Sequence, residues 1–152
     1  MKNTGPVLRH IANLWTLMGH PWPLDEKLRA IKDAGFDGVC WGGGPELFAG
    51  CKRHGLIFVG GMASGNPVEF PRLLQEQKDC GATQVNVQLA HDETPAAEAL
   101  ELALTLNREG KRIGVVPGIE THRGTCTETP EKNLRVVRCI SKNYRRAVAA
   151  LS

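Results

Sequence analysis

Hydrophobic and polar positions along this chain switch repeatedly between two periods. Four times a polar or amphipathic stretch ends at a glycine and a β-rich stretch follows: "DAGFDGVCW", "RHGLIFVGG", "DCGATQVNVQ" and "REGKRIGVV", with Gly35, Gly55, Gly81 and Gly110 at the joints. That order is the signature of a helix stopped by a left-handed glycine, then a short loop, then a strand. Helix starts are marked by a capping residue before a proline whose fixed φ suits the first turn, at Asn66-Pro67, Thr94-Pro95 and Thr129-Pro130. Between these signals Leu24, Leu28 and Ile31 share one helix face, and Leu100, Ala103, Leu104 and Asn107 share another. The spacing predicts strands over 10–17, 36–41, 56–61, 83–89 and 112–119, with starts roughly 25 residues apart, the length of one β/α unit.

The reading is therefore βαβαβαβαβ followed by one more helix. Helix-length crossovers between successive strands imply a parallel sheet with helices packed outside it. Two architectures meet that description. One is an open doubly wound sheet of flavodoxin type, complete with five strands. The other is a (β/α)8 TIM barrel with about five of its eight units present, since a whole one takes about 250 residues.

Composition narrows the class without choosing between them. The 152 residues suffice for one domain with a real core. No apolar run approaches the roughly 20 residues that span a bilayer, and the first residues do not read as a signal peptide. A net charge of +3 does not by itself imply nucleic acid. Cys40, Cys51, Cys80, Cys126 and Cys139 form an odd set without a CxxC pair, which points to a reducing cytoplasm rather than to disulfides or structural zinc.

In a parallel α/β fold, ligands sit beyond the carboxyl ends of the strands. There the chain places Trp15 and then "LMGHPWP", Trp41 and "GGG", "GGMASG", Asn86 and Gln88 followed by "AHDETP", and finally Glu120 and His122. Trp15 and Trp41 are either packing residues or walls of a pocket. "WGGGPE" is a tight turn or a phosphate cradle, but it lacks the Lys-Ser/Thr of a P-loop. Glu120 ends a β-rich stretch, where an unpaired carboxylate is costly. A salt bridge with Arg123 or Lys111 would satisfy it, and so would a hard metal ion. Two residues apart on an extended chain, Glu120 and His122 point to the same side.

The segments "RHIANLWTL", "DEKLRAIKDAGFDGV", "NVQLAHDETPAAEALELALTLN" and "GIETHRGTCTETPEK" resemble the xylose-isomerase-like TIM-barrel superfamily over roughly residues 8–133. The resemblance implies a barrel domain over 1–133 and a sugar or sugar-phosphate isomerase or epimerase. A divalent metal (Mn, Mg, Co or Zn) would assist proton transfer between adjacent sugar carbons. It makes Glu120 both metal ligand and acid/base group, sets His122 and Arg123 against substrate, and puts Trp15, Trp41 and Gln88 in the pocket wall. The other metal ligands of that family come from later strands, so the resemblance also implies a truncated barrel with an incomplete metal site and impaired activity.

Residues 134–152 read as a basic C-terminal helix or an aberrant tail; from Lys132 onward there are six Lys or Arg and no Asp or Glu. Open strand edges at 10–17 and 112–119 suit pairing into a homodimer. Two other functions meet the same residues: a non-catalytic α/β binding module or half-barrel dimer, and a flavodoxin-like domain that binds phosphate at "WGGGP".

Overall fold

A computed structural model describes residues 8–137. Five parallel strands run in sequence with helices between them: β1 (Ile11–Asn13), α1 (Leu24–Asp33), β2 (Gly38–Trp41), α2 (Pro45–Arg53), β3 (Ile57–Ser64), α3 (Phe70–Asp79), β4 (Gln84–Leu89), α4 (Ala96–Ile113) and β5 (Val116–Ile119). Residues 130–137 are again helical. Of the basic tail, residues 138–152 lie outside the described residues, as does Cys139.

Strand order settles the architecture. The sheet runs β1-β2-β3-β4-β5, each strand parallel to the next. A doubly wound sheet reverses direction beside its first strand, whereas a barrel adds every strand on the same side. This is a partial TIM barrel, and the flavodoxin-like alternative is corrected on that ground.

Alternation along each strand assigns the two faces. Val39, Phe58, Val85, Val87 and Leu89 are buried against the helices, which contribute Leu28, Ile31, Leu47, Cys51, Phe70, Leu74, Leu102, Ala103 and Leu106. Each fully buried large side chain stabilises the fold by about 1.5–3 kcal/mol before entropy is counted. The opposite, concave face carries Asn13, Cys40, Gly61, Asn86, Gln88 and Glu120. Helices thus close one side of the sheet, and polar residues line the other.

The glycine stops hold at Gly35, Gly55 and Gly81, all with positive φ, but not at Gly110. There α4 runs on to Ile113 and stops at Gly114, φ 87°, whose N–H donates to the Gly110 carbonyl. Gly110 has a packing role instead, because a Cβ there would lie 2.6 Å from Pro117 Cδ. The fifth strand consequently begins at Val116 rather than at 112. The first strand is also shorter than expected. Leu14–Leu17 wind into a 3₁₀ turn capped by Asn13, whose side chain accepts the Trp15 N–H. On α4 the buried stripe is Ala99, Leu102, Ala103, Leu106 and Ile113, one position off the expected face, and Asn107 is exposed.

The triple glycine is a packing device. Gly43 N–H donates to Gln77 Oε1 at 3.2 Å, and a Cβ on Gly43 would lie 2.5 Å from the Phe58 ring. The phosphate-cradle reading of "WGGGP" is corrected accordingly, since this backbone donor is spent inside the fold.

Candidate functional site at the carboxyl ends of the strands

Glu120 stands at the end of β5, half-buried on the concave face. Its N–H donates to the Val87 carbonyl, which continues the β4–β5 ladder one residue past the strand. Its carboxylate faces β4, where Asn86 and Gln88 project on the same side two residues apart. Asn86 Nδ2 donates to Glu120 Oε2 at 2.9 Å, and Gln88 Nε2 donates to the same oxygen at 3.2 Å. These amides, and not Arg123 or Lys111, satisfy the carboxylate. Among the described residues Oε1 takes no hydrogen bond, so one carboxylate oxygen is held and the other is open.

A depression of about 420 Å³ is lined by Asn13, Trp15, Trp41, Gln88, Glu120, His122 and Arg123. Every residue singled out from the sequence as a site residue is therefore on one wall or another of the same hollow. Trp15 and Trp41 stack with ring centroids 6.0 Å apart and planes inclined by 24°. Trp15 is 69% exposed. His122 turns Nδ1 toward the Arg123 carbonyl, 2.6 Å away. The Arg123 guanidinium is exposed and has no ion-pair partner among the described residues. The hollow thus offers an apolar aromatic wall, a carboxylate and a cation.

Sequence reasoning missed one lining residue, Asn13, and the role of Asn86 behind the wall. Asn13 carried no signal beyond its place before the 3₁₀ turn. Asn86 was legible as a strand residue, but its bond to Glu120 depends on the register Asn86↔Gly118, which brings the strand ends level. Beneath the hollow, burial pushes the half-buried Cys40 thiol up, and the negative charge of Glu120 pushes it further.

A second, larger hollow of about 550 Å³ adjoins the first and shares Gln88, His122 and Arg123 with it. Its floor includes Ala90, a non-glycine residue at φ 54°, and Gly65, where a Cβ would come within 3.1 Å of Ala90 Cα. Left-handed backbone in a residue with a side chain is costly and concentrates at functional rims.

A metal is a poor match for the donors present. Among the described residues no three His, Cys, Asp or Glu converge, and Glu120 Oε2 already accepts two N–H groups. One carboxylate does not hold a hard divalent cation, which takes six or more oxygen ligands.

No model of a protein family and no curated protein matches this chain. Solved structures do. A dihydrodipicolinate synthase (dapA) superposes with a TM-score of 0.61 at 11% identity, over 86% of this chain and 52% of its own. A putative dihydrodipicolinate synthetase from Pseudomonas aeruginosa gives 0.60 at 14% identity, over 87% and 53%. YagE, a prophage protein of the dihydrodipicolinic acid synthase family from E. coli K12 in complex with pyruvate, gives 0.53 at 15% identity, over 75% and 45%. At such identities the likeness is one of fold, and the chain spans about half the length of these barrels. The expected kinship with xylose-isomerase-like sugar isomerases and epimerases is corrected by these neighbours, which are dihydrodipicolinate-synthase-type barrels; the isomerase reading falls with it, and the binding-module alternative fits no better.

Proposed function

We propose that the carboxyl-end rim binds a small carbonyl compound bearing a carboxylate, of the 2-oxo acid class, and that Glu120 moves a proton at the carbon beside the carbonyl. The observation that carries the reading is the half-held carboxylate: Oε2 is fixed by Asn86 and Gln88, Oε1 takes no hydrogen bond among the described residues, and Glu120 lines a hollow that also presents Arg123. A general base must be fixed in place yet keep one lone pair for the substrate proton. An unpaired guanidinium supplies the planar, paired donors that a carboxylate accepts. The likeness to a barrel described in complex with pyruvate supports the ligand class.

The chemistry is derived from this chain's own residues. Arg123 holds the ligand carboxylate away from Glu120, so the two negative groups do not meet. The indoles of Trp15 and Trp41 cover one side and lower the local dielectric, which strengthens both contacts. Glu120 Oε1 then accepts the proton from the adjacent carbon, the C–H electron pair passing into the ligand carbonyl as an enolate. The carboxyl exchanges that proton with solvent and returns a hydron to the carbon; Asn86 and Gln88 keep the carboxyl plane from turning throughout. No lysine lines either hollow, so no covalent amine adduct enters the scheme.

Pyruvate is the probe. In D₂O the chain should catalyse deuterium exchange into the pyruvate methyl group, followed by proton NMR. Glu120→Gln should abolish exchange while binding persists, and Arg123→Ala should weaken binding about tenfold or more, the loss of a charge-assisted pair. No binding at millimolar pyruvate, or exchange indifferent to Glu120→Gln, overturns the proposal.

Pairing of two copies through the open sheet edges at β1 and β5 belongs to the same proposal. Along β5 the Val116 and Glu120 N–H groups turn inward, to the Thr83 and Val87 carbonyls, positions 117 and 119 face outward, and Pro117 has no N–H to offer. The four described cysteines are free, which supports a reducing compartment. Among the described residues no helix is long and apolar enough to cross a membrane.

A further inference from the structure

The buried polar side chains among the described residues are Gln77, Thr125 and Thr127. Two of the three lie in the loop that follows Glu120. Thr127 is 2% exposed and its hydroxyl donates to the Glu120 carbonyl at 2.7 Å. Thr125 is 3% exposed and its hydroxyl donates to the His122 carbonyl at 2.6 Å. The two hydroxyl oxygens are 3.2 Å apart. Each threonine has one hydroxyl proton to give, and both protons are spent on the carbonyls that flank Thr121.

Proton accounting gives the loop a definite purpose. The Glu120 backbone is gripped from both sides, its N–H by Val87 of β4 and its carbonyl by Thr127. The loop is anchored in turn by Cys126 N–H, which donates to the Leu89 carbonyl at the end of β4. The same strand that supplies Asn86 and Gln88 therefore also holds the backbone from which the Glu120 side chain springs. A carboxylate 2.9 Å from one donor and 3.2 Å from another tolerates little rotation of its own backbone before one contact is lost.

We infer that Thr127 is a positioning residue for Glu120, with Thr125 doing the same for His122: their buried hydroxyls clamp the two backbone carbonyls that aim those side chains into the hollow. The inference rests on Glu120 being the working carboxylate, but its test needs no ligand. A hydroxyl that merely stabilises the loop would change the melting temperature and leave the Asn86 and Gln88 contacts alone. A clamp changes those contacts.

The experiment follows the side-chain NH₂ signals of Asn86 and Gln88 in the ¹⁵N-labelled full chain. Glu120→Gln, which removes the charged acceptor, sets the positions for a lost contact. Thr127→Val keeps the shape and removes the donor, and both NH₂ pairs should move most of the way toward the Glu120→Gln positions. Thr127→Ser keeps the hydroxyl and should leave them at wild type. Leu106→Ala, a destabilising change in the core on α4 that touches neither hydroxyl, should also leave them at wild type. Should Thr127→Val not fold, Thr127→Ala removes the same donor without a new methyl to place. The inference is overturned if the donorless variant leaves both pairs at wild type, or if Thr127→Ser or Leu106→Ala moves them equally. Failure of pyruvate to bind would sink the proposed function and leave this result standing. Where exchange is seen, Thr127→Val should lower its maximal rate more than its half-saturating pyruvate concentration.

Discussion

Gln77, on α3, accepts the Gly43 N–H through Oε1 at 3.2 Å across the sheet's helical side, and it reaches there because Gly60 has no Cβ: one would lie 2.8 Å from that oxygen. A glutamine that is 7% exposed thus closes the loop after Trp41, the residue that walls the candidate site. Gln77→Leu matches volume and removes the acceptor. The stranded donor should cost about 1–3 kcal/mol, seen as a lower urea midpoint with an unchanged slope. A loss under about 0.5 kcal/mol, the range of a neutral surface change, would mean that the loop stands without Gln77.

Gly110 sets two rules against each other. In a helix interior, Gly→Ala normally gains about 1 kcal/mol. Here the new Cβ would sit 2.6 Å from Pro117 Cδ and 3.0 Å from the Val115 carbonyl, neither of which is a free chain end. Overpacking costs about 1–3 kcal/mol, so the clash should win and Gly110→Ala should lower stability in thermal and urea unfolding. A more stable variant would show that β5 can shift outward freely.

The same glycine marks where the sequence stopped being readable. Gly35, Gly55 and Gly81 end their helices by local need, a positive φ that only the backbone dictates, so the pattern alone revealed them. Gly110 is there for a neighbour seven residues away in sequence, and no local rule announces that. The parallel α/β class followed from periodicity, but the choice between barrel and doubly wound sheet lay in strand order, which periodicity does not carry. At the site, Glu120 was conspicuous as an acid at a strand end. Asn86 was not, because its role exists only in the cross-strand register. The family resemblance failed for a related reason: its segments, spread over roughly residues 8–133, follow the β/α rhythm that barrels share, and the structural neighbours are barrels of another kind.

Glu128 gives the site loop a dependence on pH. One oxygen takes the Lys132 ammonium at 2.5 Å, and the other accepts the Gly124 N–H at 3.0 Å. The Lys132 contact first, and the Gly124 N–H second, hold its carboxyl below the usual glutamate range. A carboxyl depressed on folding contributes stability above its unfolded value, and that contribution is lost as pH falls through the folded one. Glu128→Gln should therefore be less stable than wild type at neutral pH, and the gap should close on acidification below the glutamate range. Asp25 and Asp37 are also held low, but they are common to both proteins and cancel. Paired urea titrations at neutral and acidic pH read the gap directly; one that does not change with pH would rule Glu128 out as its source.

Trp15 and Trp41 divide a role that either could hold. They stack at 6.0 Å, yet Trp15 is 69% exposed while Trp41 packs against the core. If the pair is only packing, the loss should fall on stability in both variants. If the rim is a binding wall, Trp15→Ala should change stability by less than about 0.5 kcal/mol and still weaken pyruvate binding several-fold. Trp41→Ala should do both, with about 3–5 kcal/mol as an upper bound from fully buried cores. Urea unfolding and ligand titration on the two variants separate the cases, because the exposed indole has almost no fold to hold up. A Trp15→Ala variant that binds pyruvate as well as wild type would remove the aromatic wall from the site and leave the carboxylate and the guanidinium to recognise the ligand.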